Sequence, residues 1–356
     1  MKSQIEINNQ KIGFDKPTYF IADIAANHDN DIEKAKDLIY LCAESGADAA
    51  KFQHFSADTI VSDYGYKSLG SQKSHQAKWK KSVFEVYQDA AINPDWTEVL
   101  KETCDKAGIE FFTSPYSFDL VDAVDPYVSA YKIGSGDITW LEVIRYMSSK
   151  GKPILLATGA SNEMDVRLAM DAVLSITKDV VLMQCNTNYT ASVENFKYIN
   201  LNVLKTYKDL YPNTILGLSD HTKGHTTVLG AVALGARVVE KHFTDNTNKN
   251  GPDHAFSMDS KSWRMMVDCT RELEYALGGN IKKVEDNEKE TVVLQRRSIR
   301  LSKDLSKGDV ITSDVVEFLR PCPDGALPPY YFDKVSGRVL NNSVKKGECL
   351  YWTDLG

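Results

Sequence analysis

Two histidines carry the clearest chemical signal in this 356-residue chain. They stand in Gly217-Leu218-Ser219-Asp220-His221-Thr222 and Val239-Glu240-Lys241-His242-Phe243, each ending a short apolar run. As neighbouring strands of a repeating β/α pattern, these runs bring both imidazoles to one mouth. Neutral imidazole suits Mn, Fe, Co or Zn, so His221 and His242 are the metal candidates. Two earlier runs present lysine, in Lys51-Phe52-Gln53-His54 and Tyr131-Lys132-Ile133-Gly134-Ser135-Gly136-Asp137. An ammonium on a flexible stem suits phosphate or carboxylate; the alternative is an ion pair with a neighbouring Asp inside the fold. Asp23, Asp137 and Asp253 are candidates for acid–base work or for orienting those lysines, and sequence does not separate the two roles. His28, His54, His75, His225 and His254 read as structural or surface residues. No nucleophile elbow, P-loop or dinucleotide fingerprint occurs in its required context.

These residues need a scaffold that gathers strand ends. Eight apolar runs supply one: Tyr19–Ala26, Ala49–His54, Ile109–Ser114, Ala130–Ser135, Pro153–Thr158, Val180–Thr187, Thr214–Asp220 and Val238–Thr244. Helical periodicity fills the gaps at Ile32–Ser45, Trp96–Ala107, Trp140–Ser149, Glu163–Ile176, Thr226–Leu234 and Ser262–Leu277. Near-continuous apolar strands alternating with helices require a covered parallel sheet, and eight of them predict an α/β fold, a closed (β/α)8 TIM barrel over residues 1–280. Ile281–Glu290 is charged without an apolar face, so 281–293 is read as a linker. Residues 294–356 carry short alternating runs and turn signals, which predict a small β-rich domain near the lower size for independent folding. Ser62–Lys81 is a long loop with Lys67, Lys73, Lys78, Lys80 and Lys81, expected on the catalytic face in a substrate-covering role.

Composition narrows the class. The formal charge is −7 with no Lys/Arg block, which argues against a nucleic-acid partner. No run approaches a membrane span, and Met1-Lys2-Ser3-Gln4-Ile5 leads into no signal-peptide core. Six cysteines without metal-type spacing predict free thiols in a reducing cytoplasm. The expectation is a cytoplasmic enzyme acting on an anion.

The chain resembles the sialic acid synthases over nearly its whole length. The landmarks are Asn27-His28, Lys51-Phe52-Gln53, Tyr131–Gly136, Gly217–Thr222, Glu240–Phe243, Gly251-Pro252-Asp253 and, in the tail, Arg320-Pro321, similar to the antifreeze-like (SAF) domain motif. The resemblance implies condensation of phosphoenolpyruvate with an N-acylated hexose to a nine-carbon 2-keto sugar acid. It implies a divalent ion on His221 and His242, Mn2+ first and Mg2+ or Co2+ as alternatives. Lys51, Ser114, Lys132, Ser135, Thr158 and Ser219 would hold phosphoenolpyruvate; Gln53, Tyr189, Asp253 and Arg320 would face the sugar. Asp23, Lys51, Lys132 and Asp137 would be the catalytic groups. It also implies a domain-swapped homodimer in which Arg320 comes from the other chain.

Three positions depart from that pattern. Asp23 and Asp137 stand where members commonly carry Glu, and Ala157 replaces a phosphate-holding serine, leaving Thr158 as the hydroxyl nearby. Together with the long loop, these point to a modified acceptor such as a diacetamido-dideoxy hexose. Within enzymes the rival reading is condensation with a sugar phosphate, as in octulosonate-phosphate synthesis, with the lysine-rich loop as second phosphate site. Outside enzymes it is a catalytically decayed sugar-binding barrel; ice binding by the tail is disfavoured by the charged surface.

Overall fold

Side-chain alternation along eight strands sorts the first part of the molecule into two apolar cores. The computed structural model describes residues 4–71, 76–77 and 79–356, and the chain divides into two compact units, one ending at Gly278 and one spanning Gly279–Gly356. The first unit opens with a hairpin, β1 (Gln4–Ile7) and β2 (Gln10–Gly13), not anticipated from the sequence. Its turn residues Asn8 and Asn9 both take positive φ (45° and 65°), the conformation of a tight hairpin turn that asparagine tolerates.

The barrel strands follow as β3 (Tyr19–Asp23), β4 (Ala49–His54), β5 (Glu110–Pro115), β6 (Tyr131–Ile133), β7 (Ile154–Ala157), β8 (Val180–Cys185), β9 (Ile215–Asp220) and β10 (Ala236–His242). All paired neighbours are parallel, in the order β5-β4-β3-β10-β9-β8-β7-β6, and β5 lies beside β6 across the seam. At that seam Ser129 Oγ donates to Glu110 Oε1 at 2.7 Å. The expected (β/α)8 barrel is therefore present and nearly closed. Strand β3 stops at Asp23 rather than Ala26, because Ala25 turns into the left-handed region at φ 46°.

One parity of each strand packs outward on the helices, as Phe20, Ala22, Ala50, Phe52, Leu156 and Leu182 do. The other fills the interior: Tyr19, Ile21, Ala49, Phe112, Ala130, Leu155, Val181, Met183, Ile215 and Val238, closed by Ile5, Ile7 and Ile12 of the hairpin. Gly217 sits in this interior because an added Cβ would stand 2.8 Å from Met183 Cγ and 3.0 Å from the Val238 carbonyl oxygen. The same inward parity, continued to the C-terminal strand ends, passes from carbon to charge.

Connections contain more helix than periodicity showed. Ala57–Ile60, Asp63–Ser68 and Val83–Ala90 occupy the β4 excursion, so the stretch read as a loop is partly helical. Its Lys67 pairs with Asp63 at 2.6 Å and Lys81 with Asp89 at 2.5 Å, while Lys73, Lys78 and His75 lie outside the described residues. In the second unit the helix Lys289–Gln295 begins inside the stretch read as linker, and β11 (Ser298–Leu301) pairs antiparallel with β12 (Val316–Leu319). Its core includes Ile299, Leu301, Ile311, Leu327, Val335, Leu340 and Leu350. All six cysteines are free, and no described helix is long and apolar enough to cross a membrane.

The outward parity also carries one buried ion pair. Lys241 Nζ lies 2.5 Å from Asp220 Oδ2, which also accepts from Thr222 and Thr227 hydroxyls at 2.8 and 2.6 Å. Burial disfavours the Asp220 carboxylate, but Lys241 and the two hydroxyls pull its pKa below the usual range. The stability it contributes is present above the unfolded carboxyl pKa and is lost as pH falls through the depressed folded value. Lys241→Met strands that charge and is expected to lower unfolding free energy by about 3–5 kcal/mol in a denaturant titration.

Candidate active site

Strand register builds the site. Asp23 pairs in register with Lys51 on one side and His242 on the other; Glu240 stands opposite Ser219, and Gln53 opposite Ser114. These inward side chains form the floor of a cavity of about 510 Å³ at the C-terminal end of the strands, the end where barrel loops converge.

The floor is a compensated charge cluster. Lys51 Nζ contacts Asp23 Oδ2 directly and lies 3.6 Å from Glu240 Oε1; Lys132 Nζ lies 3.2 Å from the same Glu240 oxygen. Ser219 Oγ donates to Glu240 Oε1 at 3.3 Å, and Gln53 Nε2 to Asp23 Oδ2 at 3.1 Å. All four charged groups are buried. Burial would raise Glu240, yet Lys132 and Lys51 hold it down at about 2. Burial also disfavours the Lys51 ammonium, and Asp23 and Glu240 more than offset it, so its pKa is raised. For Asp23, burial lifts the carboxyl and the Glu240 charge adds to it, against the pull of Lys51. The ion-pair alternative thus holds for Lys51 with Asp23, whereas the partner of Lys132 is Glu240. Glu240 was no candidate from sequence, although its position two residues before His242 puts it on the same strand face.

The two histidines lie beside this cluster with ring centroids 5.4 Å apart. His221 Nδ1 lies 2.8 Å from the Asn186 carbonyl oxygen, which accepts, so Nδ1 carries the proton and Nε2 the lone pair. His242 Nδ1 has no hydrogen-bond partner among the described residues, and its Nε2 lies 3.6 Å from Asp23 Oδ2. Burial lowers both imidazoles to about 3, reinforced by the mutual repulsion of the pair at His221 and by Lys51 at His242. Tyr189 and Phe256 wall the pair, with centroids 4.3 Å from His221 and 4.8 Å from His242 respectively. Neutral imidazoles, one with its tautomer fixed by a backbone carbonyl, fit a divalent ion as a donor set. Among the described residues no cluster of three His, Cys, Asp or Glu side chains suits a metal, so further ligands would come from solvent or substrate.

Around the floor, Ser114 Oγ is buried without a partner among the described residues, and Ser135 Oγ accepts from Gly159 N–H at 2.9 Å. A Cβ on Gly159 would stand 2.4 Å from Thr187 Cγ2, so that approach requires glycine. Thr158 is a correction. Strand parity turns it outward, where its hydroxyl donates to the Met183 carbonyl at 2.9 Å and accepts from Tyr207 at 3.0 Å, away from the cavity. Ala157, not Thr158, has the inward parity.

Two carboxyls stand higher in the cavity. Burial pushes Asp137 up to about 6 and Asp253 up to about 7. Asp253 Oδ2 accepts from Ala26 N–H at 3.1 Å, and Asp23 Oδ1 from Ala25 N–H at 3.1 Å, so the left-handed turn at Ala25 aims consecutive backbone donors at two carboxyls. Gln53 and Tyr189 also line the cavity. Arg320 belongs to the second unit, exposed after β12. His54 bridges Thr113 and Thr97 between strand and helix at 2.7 and 2.9 Å, and His254 bridges Thr244 and Asp29 at 2.7 and 3.0 Å; both are structural.

Residues 38–282 match the NeuB family, and residues 296–356 match the SAF domain. The chain belongs to the NeuB family. It is 34% identical to the N,N'-diacetyllegionaminic acid synthase of Legionella pneumophila, covering 97% of this chain and 98% of that one. It is 30% identical to the pseudaminic acid synthase of Campylobacter jejuni, over 94% of this chain and 96% of the other. Among solved structures, the N-acetylneuraminic acid synthetase of Leptospira borgpetersenii in complex with citrate matches with TM-score 0.72 at 25% identity, over 82% of this chain and 96% of that one. The family match spans most of the barrel, including the strand ends that carry Lys51, Lys132, Glu240 and both histidines.

The raised Asp253 value has a measurable consequence. Between the unfolded carboxyl pKa and about 7 the native state binds a proton that the unfolded chain does not, so this group's contribution to stability falls as pH rises through that window. Asp253→Asn removes the slope. Denaturant midpoints for the variant are expected to gain on those of the native chain between pH 5 and pH 8.

Proposed function

We propose that this NeuB-family chain condenses phosphoenolpyruvate with an N-acylated hexose, releasing phosphate and a nine-carbon 2-keto sugar acid. The observation that carries the reading is the pair of buried lysines bridged by Glu240 in the cavity floor, beside two neutral histidines. The names of the relatives support the class, and a diacetamido hexose is the favoured acceptor because a diacetyllegionaminic acid synthase shares 34% identity.

The reaction follows from the groups present. Lys51 and Lys132, held in place by carboxylates before substrate arrives, offer fixed positive charge to the phosphate and carboxylate of phosphoenolpyruvate. Ser114, Ser135 and Ser219 supply hydroxyls on the same floor. The C2–C3 π electrons form the new bond from C3 to C1 of the open-chain aldehyde. The aldehyde oxygen takes a proton from Asp253, whose elevated pKa keeps that proton available near neutral pH. Water adds at the cationic C2, passing its proton to Asp137. The C2–oxygen bond to phosphate then breaks, the phosphate leaving with that electron pair and taking the proton of the remaining hydroxyl, whose oxygen becomes the ketone. A divalent ion held by His221 and His242, Mn2+ in the first instance, would supply Lewis-acid polarisation of the aldehyde oxygen.

The assay is phosphate release from phosphoenolpyruvate with Mn2+ across a panel of N-acyl hexoses, diacetamido hexoses and sugar phosphates. Release requiring one N-acyl acceptor and abolished by chelation is expected. Release only with a sugar phosphate, or with none of the acceptors, overturns the reading. Glu240→Gln leaves Lys51 and Lys132 facing each other without their shared counter-charge. Its kcat/KM is expected to fall about 100-fold, mainly as a raised KM for phosphoenolpyruvate, since Glu240 acts through the lysines.

A further inference from the structure

A second cavity, of about 280 Å³, lies at the N-terminal end of the barrel strands, the end opposite the site above. Tyr19 begins β3, Asp48 precedes β4 and Glu110 begins β5, while Asn8 and Gln10 reach it from the hairpin β1–β2. Tyr19 belongs to the inward parity, and so does Glu110, which pairs with Ala49 two residues before Phe112. The charge here is one-sided. Asp48, Asp105 and Glu110 line the cavity, and among the described residues no Lys, Arg or His does so. Asp105 has Lys101 at 2.5 Å. Glu110 is only 6% exposed and has no ion-pair partner among the described residues. Its oxygens accept from Ser129 Oγ at 2.7 Å and Asn8 Nδ2 at 2.6 Å. Asp48 accepts from Phe20 N–H at 2.7 Å and Gln10 Nε2 at 3.1 Å, and Arg271, whose charge reaches it, is held by Glu274 at 2.9 Å. Burial raises the Asp48 carboxyl above its usual value. Each carboxylate offers about four acceptor positions, so neutral donors leave capacity over on both.

An independent observation points to a ligand. Tyr19 is 1% exposed and lines the cavity, yet its hydroxyl enters no hydrogen bond among the described residues. Burial, and then the charges of Asp48 and Glu110, hold this phenol well above its ordinary value, so it keeps its proton. A buried polar atom left unbonded costs free energy that a ligand removes. We propose that this lower cavity is a second binding site, for a small primary ammonium compound. Three N–H donors on one positive nitrogen match what the lining lacks: a donor for the Tyr19 oxygen and a counter-charge for Glu110 and Asp48. Ile7 and Ile109 supply carbon for a short alkyl chain. The volume holds several heavy atoms rather than one ion, and no described cluster of three His, Cys, Asp or Glu side chains suits a metal. The site is independent of the condensation reading, because none of its residues lines the upper cavity.

The test is calorimetric titration of the full chain with n-butylammonium chloride, with potassium and tetramethylammonium chlorides as controls at matched ionic strength. Saturable one-site binding of n-butylammonium is expected, with a rise in thermal midpoint that follows its concentration. Tetramethylammonium has the charge without N–H donors, and potassium has the charge without the chain; neither is expected to saturate. Tyr19→Phe, which removes only the hydroxyl, is expected to weaken binding about 10-fold, and Glu110→Gln about 10- to 100-fold. Absence of saturable binding leaves water as the occupant and overturns the proposal. Equal binding of potassium overturns the ammonium assignment, and binding unchanged in both variants overturns the location. Should Glu110→Gln not fold, Tyr19→Phe decides.

Discussion

Mutual compensation of buried charge at the top of the barrel is the constraint on which the site depends. Asp23, Lys51, Glu240 and Lys132 are all withdrawn from water, and an isolated charge at such depth would neutralise or destabilise the fold. Glu240 solves this for two lysines at once, with one oxygen near both ammonium groups. Both ammonium groups are therefore paired and positioned without a ligand. An arriving anion meets charge that needs no reorganisation, which is the condition under which fixed electrostatics lowers a barrier.

The histidines are governed by the opposite requirement. Their burial beside Lys51 and among Tyr189 and Phe256 keeps them neutral, so lone pairs rather than protons face the cavity. Charged lysines and neutral histidines a few ångströms apart are compatible because the carboxylates stand mainly with the lysines. Higher in the same cavity, Asp137 and Asp253 have no adjacent ammonium strong enough to hold them ionised, and burial lifts both toward neutral pH. One cavity thus holds strongly ionised, neutral and titrating groups, separated by what each is packed against.

Architecture separates these chemistries by depth. Along the inward parity, aliphatic and aromatic layers closed by the N-terminal hairpin give way to charge at the strand ends, and then to a wall from the β4 excursion. A β/α barrel permits this because strand order fixes which residues are lateral neighbours, while excursions at the C-terminal end vary without disturbing the layers below. The outward pair Lys241–Asp220 belongs to the structural layer even though it alternates with catalytic candidates Ser219, Glu240 and His242 on the same two strands.

The eight-strand repeat was legible in the sequence, since apolar runs and helical spacing are local properties of the chain. So were the strand-end lysines, the histidine pair and the free cysteines. The hairpin β1–β2 and the helices of the β4 excursion escaped notice, because four-residue strands and short helices carry too little periodicity to rise above their surroundings. Residue types and motif order by themselves determined the barrel and the family resemblance. Tertiary structure alone decided that Lys132 pairs with Glu240, that Thr158 turns outward to Met183 and Tyr207, and that Val86 and Ala90 reach the cavity. The physical reason is that side-chain parity and lateral register are set when strands pair. A one-residue difference in where a strand begins sends each side chain to the opposite face.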